Sequence, residues 1–128
     1  MKTIGLGVDI IENNRIKSLL KNKSFISRTF SKKEIFISSK ISNKKNFFSK
    51  RFAAKEAFAK ALGTGFRDNL NFKDIEIVND KLGKPSYLIN NKIKKLVMKK
   101  KRVKNFQLFL SISDEKEYSI AFTIIQQI

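Results

Sequence analysis

The pattern of apolar and polar positions is organised around one long predicted helix. Residues 46–62 are rich in alanine, leucine, lysine and glutamate, which favour helices, and the glycines at 63 and 65 end the pattern. Glu56 and Lys60 lie one turn apart on one side of this helix, and Lys55 projects elsewhere. The opposite apolar stripe, predicted to pack on the core, consists of Ala54, Ala57, Phe58, Ala61 and Leu62.

The residues before this helix predict one strand and several short helices. Residues 3–12 are apolar and rich in β-branched side chains, as is typical of a buried strand. Gly5 and Gly7 within it indicate that another group comes close to the backbone of this strand. Ser31 and Glu34 form a capping box, which predicts the start of a short helix.

The residues after the long helix predict strands, one further helix and a closing hairpin. In chain order these are strands at 72–79 and 86–89, a helix at 90–101, and antiparallel strands at 106–113 and 118–125. This order predicts an α+β fold, in which a small antiparallel sheet packs against the long central helix, with additional short helices. We expect the 128 residues to form a single domain.

The composition adds a strong positive charge to this picture. The net charge of +17 implies an anionic partner such as an acidic protein, a phosphorylated small molecule or a nucleic acid. Lysine, asparagine and isoleucine are abundant throughout the chain. A compositional bias of the genome is therefore an alternative source of part of the charge.

The absence of cysteine and histidine narrows the possible chemistry. Without cysteine there are no disulfides, which fits a reducing cytoplasm, and we expect a cytoplasmic protein. Without histidine the usual general base and the commonest zinc ligand are missing, so a bound metal should be a hard ion such as Mg²⁺. Asp9 interrupts the first apolar run, and we expect neither a signal peptide nor a membrane-spanning segment.

Asp9 is the first candidate for chemistry, because a carboxylate between Val8 and Ile10 is costly to bury without a partner. It either ends the strand and caps the next segment of the chain, or it binds a metal ion. If Asp9 and Glu56 meet in space, they form a two-carboxylate Mg²⁺ site. Lys60 could then offset charge on a diphosphate, a combination suited to the transfer of a phosphorus-centred group.

Two segments carry a resemblance to a known family. Residues 5–10 (GLGVDI) and 51–65 (RFAAKEAFAKALGTG) resemble the two signatures of the holo-acyl-carrier-protein synthases, the short bacterial class of 4′-phosphopantetheinyl transferases. The likeness continues through residues 83–85 (GKP), 111–114 (SISD) and Tyr118. It implies Mg²⁺-dependent transfer of 4′-phosphopantetheine from coenzyme A to a serine of apo-acyl carrier protein. The reaction releases adenosine 3′,5′-bisphosphate and serves fatty acid biosynthesis.

The resemblance also implies roles for individual residues. Asp9 and Glu56 match the Mg²⁺ ligands of the family, and Lys60 matches its phosphate-contacting lysine. Arg15 and Arg28 lie in the region that relatives use to dock the acidic carrier protein. The positions that fall on the coenzyme A cleft are Lys55, Lys60, Gly63, Thr64, Gly83, Lys84, Pro85 and Ser111.

The resemblance further implies a homotrimer with active sites between subunits, and neither nucleic acid nor membrane as a partner. Asp114 lies where some relatives carry histidine and others an acidic residue, which leaves its role open. The alternative interpretation is a small basic nucleic-acid-binding protein, supported by the net charge and by the interleaved phenylalanine and lysine of residues 44–52. That alternative leaves Asp9 and Glu56 unexplained.

Overall fold

The computed structural model describes residues 1–63 and 70–128. The helices are α1 Asn13–Leu19, α2 Lys23–Thr29, α3 Lys32–Ser38, α4 Lys44–Leu62 and α5 Asn91–Lys101, with a 3₁₀ turn at Phe72–Asp74. The strands are β1 Lys2–Glu12, β2 Ile77–Asn79, β3 Pro85–Tyr87, β4 Phe106–Asp114 and β5 Tyr118–Gln127. The predicted α+β fold, with its long central helix and short additional helices, is confirmed.

The main sheet is antiparallel, with β5 between β1 and β4. Asp9 on β1 lies opposite Ala121 on β5, which in turn lies opposite Ile112 on β4. The inner face of β5 is buried, whereas alternate residues on the outer face are exposed. The prediction of a buried first strand is therefore wrong for one face of β1, where Val8 is 55% exposed because the described chain places nothing over it.

Helix α4 packs across the inner face of this sheet, and two glycines allow the close contact. A Cβ atom on Gly7 would overlap the carbonyl oxygen of Ala57, and one on Gly5 would overlap that of Ala61. The backbone of β1 therefore lies directly on α4, as the glycines predicted. Because side chains alternate along a strand, Asp9, which lies two residues after Gly7, points toward the same helix.

The far side of α4 is also buried, which the predicted apolar stripe did not indicate. All five residues of that stripe are buried, and so are Phe48, Ala53, Lys55 and Ala59 on other sides of the helix. The short helices and the 3₁₀ turn contribute aromatic side chains here, and the Phe30 and Phe48 rings lie 4.6 Å apart. Glu56 and Lys60 belong to the minority of α4 side chains that reach solvent.

The segment between α4 and α5 differs from its prediction. Only Ile77–Asn79 of the predicted 72–79 strand is extended, because the 3₁₀ turn takes up Phe72–Asp74. Strand β2 pairs with β3 in a separate two-stranded sheet. Tyr87 fixes this small sheet to the core, since its hydroxyl group donates to the Ala54 carbonyl oxygen at 2.6 Å and contacts Thr123 Oγ1 at 2.6 Å.

In the described part of the chain, each helix is either too short or too polar to cross a lipid bilayer.

Candidate active site

Asp9 and Lys60 meet where β1 crosses α4. Lys60 Nζ lies 3.1 Å from Asp9 Oδ1 and donates to the Val8 carbonyl oxygen at 3.0 Å. The Lys60 side chain is 53% exposed and that of Asp9 is 14% exposed. The ion pair therefore lies at the edge of the protein, with the carboxylate mostly covered and the amine open to solvent.

Glu56 lies beside this ion pair and is half-buried. Burial raises the pKa of its carboxyl group, and the negative charge of Asp9 raises the pKa further. Lys60 and Arg15 act in the opposite direction and lower that pKa. The structure thus brings Asp9, Glu56 and Lys60 into one cluster, which we call the carboxylate cluster.

The carboxylate cluster has the donor atoms that Mg²⁺ prefers. Magnesium is commonly held by one or two carboxylates, with water and substrate phosphate oxygens completing its octahedron. Within residues 1–63 and 70–128, no group of three or more acidic residues offers a site formed by protein ligands alone. Burial is the main reason that the pKa of Glu56 is raised, and the charge of Asp9 adds to the shift, so the two carboxylates lie close enough to repel each other. Such a pair suits a divalent cation.

The two arginines expected to dock a carrier protein are both exposed. Arg15 on α1 is close enough to Glu56 to act on its pKa, so it borders the carboxylate cluster. Arg28 on α2 donates from Nη1 to Ser24 Oγ at 3.2 Å on its own helix.

A cavity of about 650 Å³ lies between α3, the first half of α4, the β2–β3 sheet and the end of β4. Gly83 and Pro85, two of the expected coenzyme A residues, line it, and Lys84 between them is exposed. Gly83 has a φ of +89°, which favours glycine. Asp80 closes this turn, because its Oδ1 accepts from the Lys84 backbone N–H at 2.8 Å.

Asp114 borders the same cavity and is held by α4. Asn46 Nδ2 donates to Asp114 Oδ2 at 2.8 Å, and Lys50 Nζ lies 4.0 Å from Asp114 Oδ1. The carboxylate that the sequence left without a role is therefore fixed at the cavity wall.

Arg51 is a cavity residue to which the sequence alone gave no role. Its side chain is 5% exposed, yet it lines the cavity, and its Nη2 donates to Asn79 Oδ1 at 2.9 Å. The guanidinium carbon lies 3.9 Å from the centroid of the Phe47 ring. Burial lowers the pKa of Arg51, and the charge of Glu34 acts to raise it. Its position in the RFAAKE segment was the available signal.

Lys55 does not reach the surface, contrary to its expected place in the coenzyme A cleft. Its side chain is fully buried, and its Nζ donates to Glu34 Oε1 at 2.8 Å and to the carbonyl oxygens of Phe72 and Ile75. Burial lowers the pKa of Lys55, and Glu34 opposes that shift. With its ammonium group enclosed by three acceptors, Lys55 is not placed to contact a ligand.

The remaining expected cleft residues are distributed over different surfaces. Gly63 ends α4 with a φ of +87°, and its N–H donates to the Ala59 carbonyl oxygen at 3.0 Å. Thr64 lies outside the described residues. Ser111 lies on the outer face of the main sheet opposite Phe122, away from the cavity in the same chain.

The cavity and the carboxylate cluster face different directions in one copy of the chain. Among the described residues, those lining the cavity do not include Asp9, Glu56 or Lys60. Arg51 precedes Glu56 by five positions on α4, so the two side chains point roughly 140° apart around the helix axis. A ligand that contacts both regions must therefore extend around the helix or bind between copies.

Comparison with known proteins shows the family of the chain. Residues 5–123 match the 4′-phosphopantetheinyl transferase superfamily. The chain is 62% identical over 127 residues to the holo-[acyl-carrier-protein] synthase of Pelagibacter ubique, with 99% of each chain covered.

Solved structures show the same likeness. The holo-[acyl-carrier-protein] synthase of Neisseria meningitidis superposes with a TM-score of 0.87 at 35% identity, covering 98% of this chain and 99% of the other. The synthase of Bacillus anthracis in complex with CoA (3′,5′-ADP) superposes with a TM-score of 0.83 at 33% identity, covering 100% of both chains. The chain therefore belongs to the 4′-phosphopantetheinyl transferase superfamily, and within it to the holo-[acyl-carrier-protein] synthase family.

Proposed function

We propose that this protein transfers 4′-phosphopantetheine from coenzyme A to a serine hydroxyl of apo-acyl carrier protein and releases adenosine 3′,5′-bisphosphate. The observation that carries the proposal is the carboxylate cluster at the β1–α4 contact. The family of the chain indicates which reaction to expect. The two carboxylates and the amine of the carboxylate cluster are groups suited to that reaction.

Asp9 and Glu56 would hold Mg²⁺, and the bound ion would neutralise charge on the diphosphate of coenzyme A. The serine oxygen attacks the phosphorus that carries the pantetheine, and the bond from that phosphorus to the oxygen of adenosine bisphosphate breaks. Lys60 stabilises the charge that develops on the leaving oxygen, because its exposed amine is fixed beside Asp9. The chain has no histidine, so a metal-bound or carboxylate-held water would take up the serine proton.

The cavity would receive the adenosine bisphosphate end of coenzyme A. Its lining includes the cationic side chains of Lys33, Lys50 and Arg51, which suit phosphate groups. Gly83 and Pro85 at its wall lie in the segment that carries the family resemblance. The related Bacillus anthracis structure, which contains CoA (3′,5′-ADP), supports this choice of ligand.

We propose a homotrimer in which the outer face of the main sheet forms the contact between copies. We call this surface the outer sheet face, and its exposed apolar residues are Leu6, Val8, Ile10, Phe109, Ile120 and Phe122. A contiguous apolar patch of this kind is typical of a protein interface. Assembly through it would give Ser111 a place near a site between subunits and would allow the cavity of one copy to face the carboxylate cluster of another.

Acyl carrier protein would dock beside the carboxylate cluster through Arg15 and, further along the same surface region of short helices, Arg28. Carrier proteins are acidic, so the net charge of +17 would speed encounter and make it sensitive to salt. The nucleic-acid-binding alternative has no comparable support, because it gives the carboxylate cluster no role.

The deciding experiment incubates the purified protein with coenzyme A, Mg²⁺ and an apo-acyl carrier protein, and follows the carrier by intact mass spectrometry. The proposal predicts a gain equal to one phosphopantetheine group. A carrier variant with alanine at the modified serine is the control and should gain nothing. If the carrier that retains its serine shows no change in mass, the proposed activity on that carrier is refuted.

A further inference from the structure

Glu34 is a buried carboxylate that joins three segments around the cavity. It is fully buried at the first turn of α3, where its Oε1 accepts from the Ser31 N–H at 2.9 Å in the predicted capping box. The same oxygen accepts from Lys55 Nζ at 2.8 Å. A capping box on the protein surface needs neither full burial nor a lysine partner, so helix capping alone does not explain this residue.

The other oxygen of Glu34 faces the cavity wall. Glu34 Oε2 accepts from the Ile77 N–H of β2 at 3.1 Å and lies 3.5 Å from Arg51 Nε. The Arg51 contact is an ion pair without hydrogen-bond geometry, since Nε has no hydrogen-bond partner among the described residues. Both Arg51 and Ile77 line the cavity.

Arg51 is consequently held from three directions. Glu34 attracts its guanidinium from the core side, Asn79 accepts from Nη2, and the Phe47 ring lies against its face. A buried cation without a counter-charge is strongly unfavourable, so a negative charge at Glu34 is what allows Arg51 to stay desolvated at this wall.

We propose that Glu34 is a positioning residue for coenzyme A binding, whose buried carboxylate fixes the Arg51 guanidinium and the start of β2 along the cavity wall. This inference rests on the proposed function, in which the cavity receives the adenosine bisphosphate end of coenzyme A. Glu34 does not touch the ligand and acts through Arg51 and Ile77.

The direction in which coenzyme A affinity changes when Glu34 loses its charge distinguishes a positioning role from a purely electrostatic one. Coenzyme A is a polyanion, so removing a negative charge near its site should strengthen binding if charge alone matters. If Glu34 positions Arg51, the Glu34→Gln change should weaken binding instead. Glutamine still supports the capping box, so α3 keeps its start.

The test measures the dissociation constant for adenosine 3′,5′-bisphosphate by calorimetry, together with the KM for coenzyme A and kcat. For Glu34→Gln we expect both the dissociation constant and the KM to rise about tenfold, the size of effect of one lost interaction with a charged group. The kcat at saturating coenzyme A should stay within about twofold, because the carboxylate cluster is intact. Glu76→Gln is the matched control: Glu76 acts electrostatically on both Arg51 and Lys55, and its loss should leave binding unchanged or tighter.

A second variant covers the case in which Glu34→Gln fails to fold. Glu34→Gln with Lys55→Met removes both charges of the buried Glu34–Lys55 pair, so no lysine is left in the core without a counter-charge. It should fold and show the same weakened binding. Wild-type affinity or tighter binding in a folded variant would overturn the inference, as would equal weakening by Glu76→Gln. A wild-type protein that binds no adenosine 3′,5′-bisphosphate would instead overturn the proposed function, and this inference with it.

Discussion

Lys60 is paired with Asp9 across the contact between helix and strand, at a distance of 3.1 Å between Nζ and Oδ1. Spacing along α4 alone suggests a pair with Glu56, one turn before Lys60. The observed partner belongs to β1, so the amine is directed by the strand that crosses the helix. This placement leaves Glu56 free to act with Asp9 while keeping a positive charge nearby.

Lys60→Met should lower kcat by about 10²-fold or more, since preorganised charge at a leaving group is worth effects of this size. The Lys60→Arg variant keeps the positive charge and should recover part of the rate. The measurement is the initial rate of phosphopantetheine transfer at saturating coenzyme A and carrier.

Lys99→Met, which alters an exposed lysine on α5, is the matched control for the Lys60 experiment. It should leave kcat unchanged. An equal fall in kcat for both variants would indicate a general effect of charge, and a wild-type kcat for Lys60→Met would remove Lys60 from the mechanism.

Gly7→Ala should destabilise the fold, because the new Cβ would overlap the Ala57 carbonyl oxygen and lie 2.7 Å from the Ala61 backbone nitrogen. Both neighbours are helix backbone, which cannot move aside as a side chain can. We expect a loss of about 1–3 kcal/mol in the free energy of unfolding, measured in urea.

Gly63→Ala provides the comparison for Gly7→Ala. Its Cβ would meet nothing within 4 Å in the described part of the chain, but its φ of +87° makes alanine unfavourable by about 1 kcal/mol. Gly7→Ala should therefore be the more damaging of the two changes. Equal stability of Gly7→Ala and the wild type would show that β1 does not lie on α4 as described.

The sequence predicted the elements whose signals are local. The capping box at Ser31, the hairpin of β4 and β5, and the glycines of β1 follow from spacing and residue type, and the structure confirms each. The prediction of one long strand at 72–79 was wrong, because alternation did not reveal the 3₁₀ turn at Phe72–Asp74.

The burial and the partners of the charged residues on α4 could not be predicted from the sequence of the helix itself. The burial of Lys55 depends on Glu34, which lies 21 positions earlier in the chain. The role of Arg51 at the cavity depends on Asn79, 28 positions later. A helical projection assigns polar residues to the solvent side, and it fails where other segments supply buried partners for them.

The double variant Val8→Lys/Phe122→Lys should prevent assembly, because it places two positive charges in the proposed interface. The two residues lie directly opposite each other on the outer sheet face. Paired like charges on an apolar interface are unfavourable, so the proposed trimer should dissociate to monomers. Light scattering after size-exclusion chromatography gives the mass in solution.

Phe36→Lys is the control for the outer sheet face, since Phe36 on α3 is 63% exposed and lies off the sheet. It should leave the oligomeric state unchanged. A wild-type protein that is monomeric at micromolar concentration, or a Val8→Lys/Phe122→Lys variant that stays trimeric, would contradict the proposed interface.

Arg15→Ala should raise the KM for the carrier protein and weaken its dependence on salt, because Arg15 is exposed beside the carboxylate cluster. Initial rates at several carrier and salt concentrations give both quantities. Lys104→Ala removes an exposed charge beyond α5 and should change neither. An unchanged carrier KM for Arg15→Ala would move the docking surface elsewhere.

The most direct test of the account is the Mg²⁺ dependence of phosphopantetheine transfer in Asp9→Asn and Glu56→Gln, compared with the wild type. Each change replaces a carboxylate by an amide of similar shape, so melting temperatures should show that the fold is kept. We expect the transfer rate of each variant to be lower than that of the wild type by about 10²-fold or more, at the Mg²⁺ concentration that saturates the wild type. A near-normal rate with unchanged Mg²⁺ dependence in either variant would contradict the assignment of Asp9 and Glu56 as the metal-binding pair.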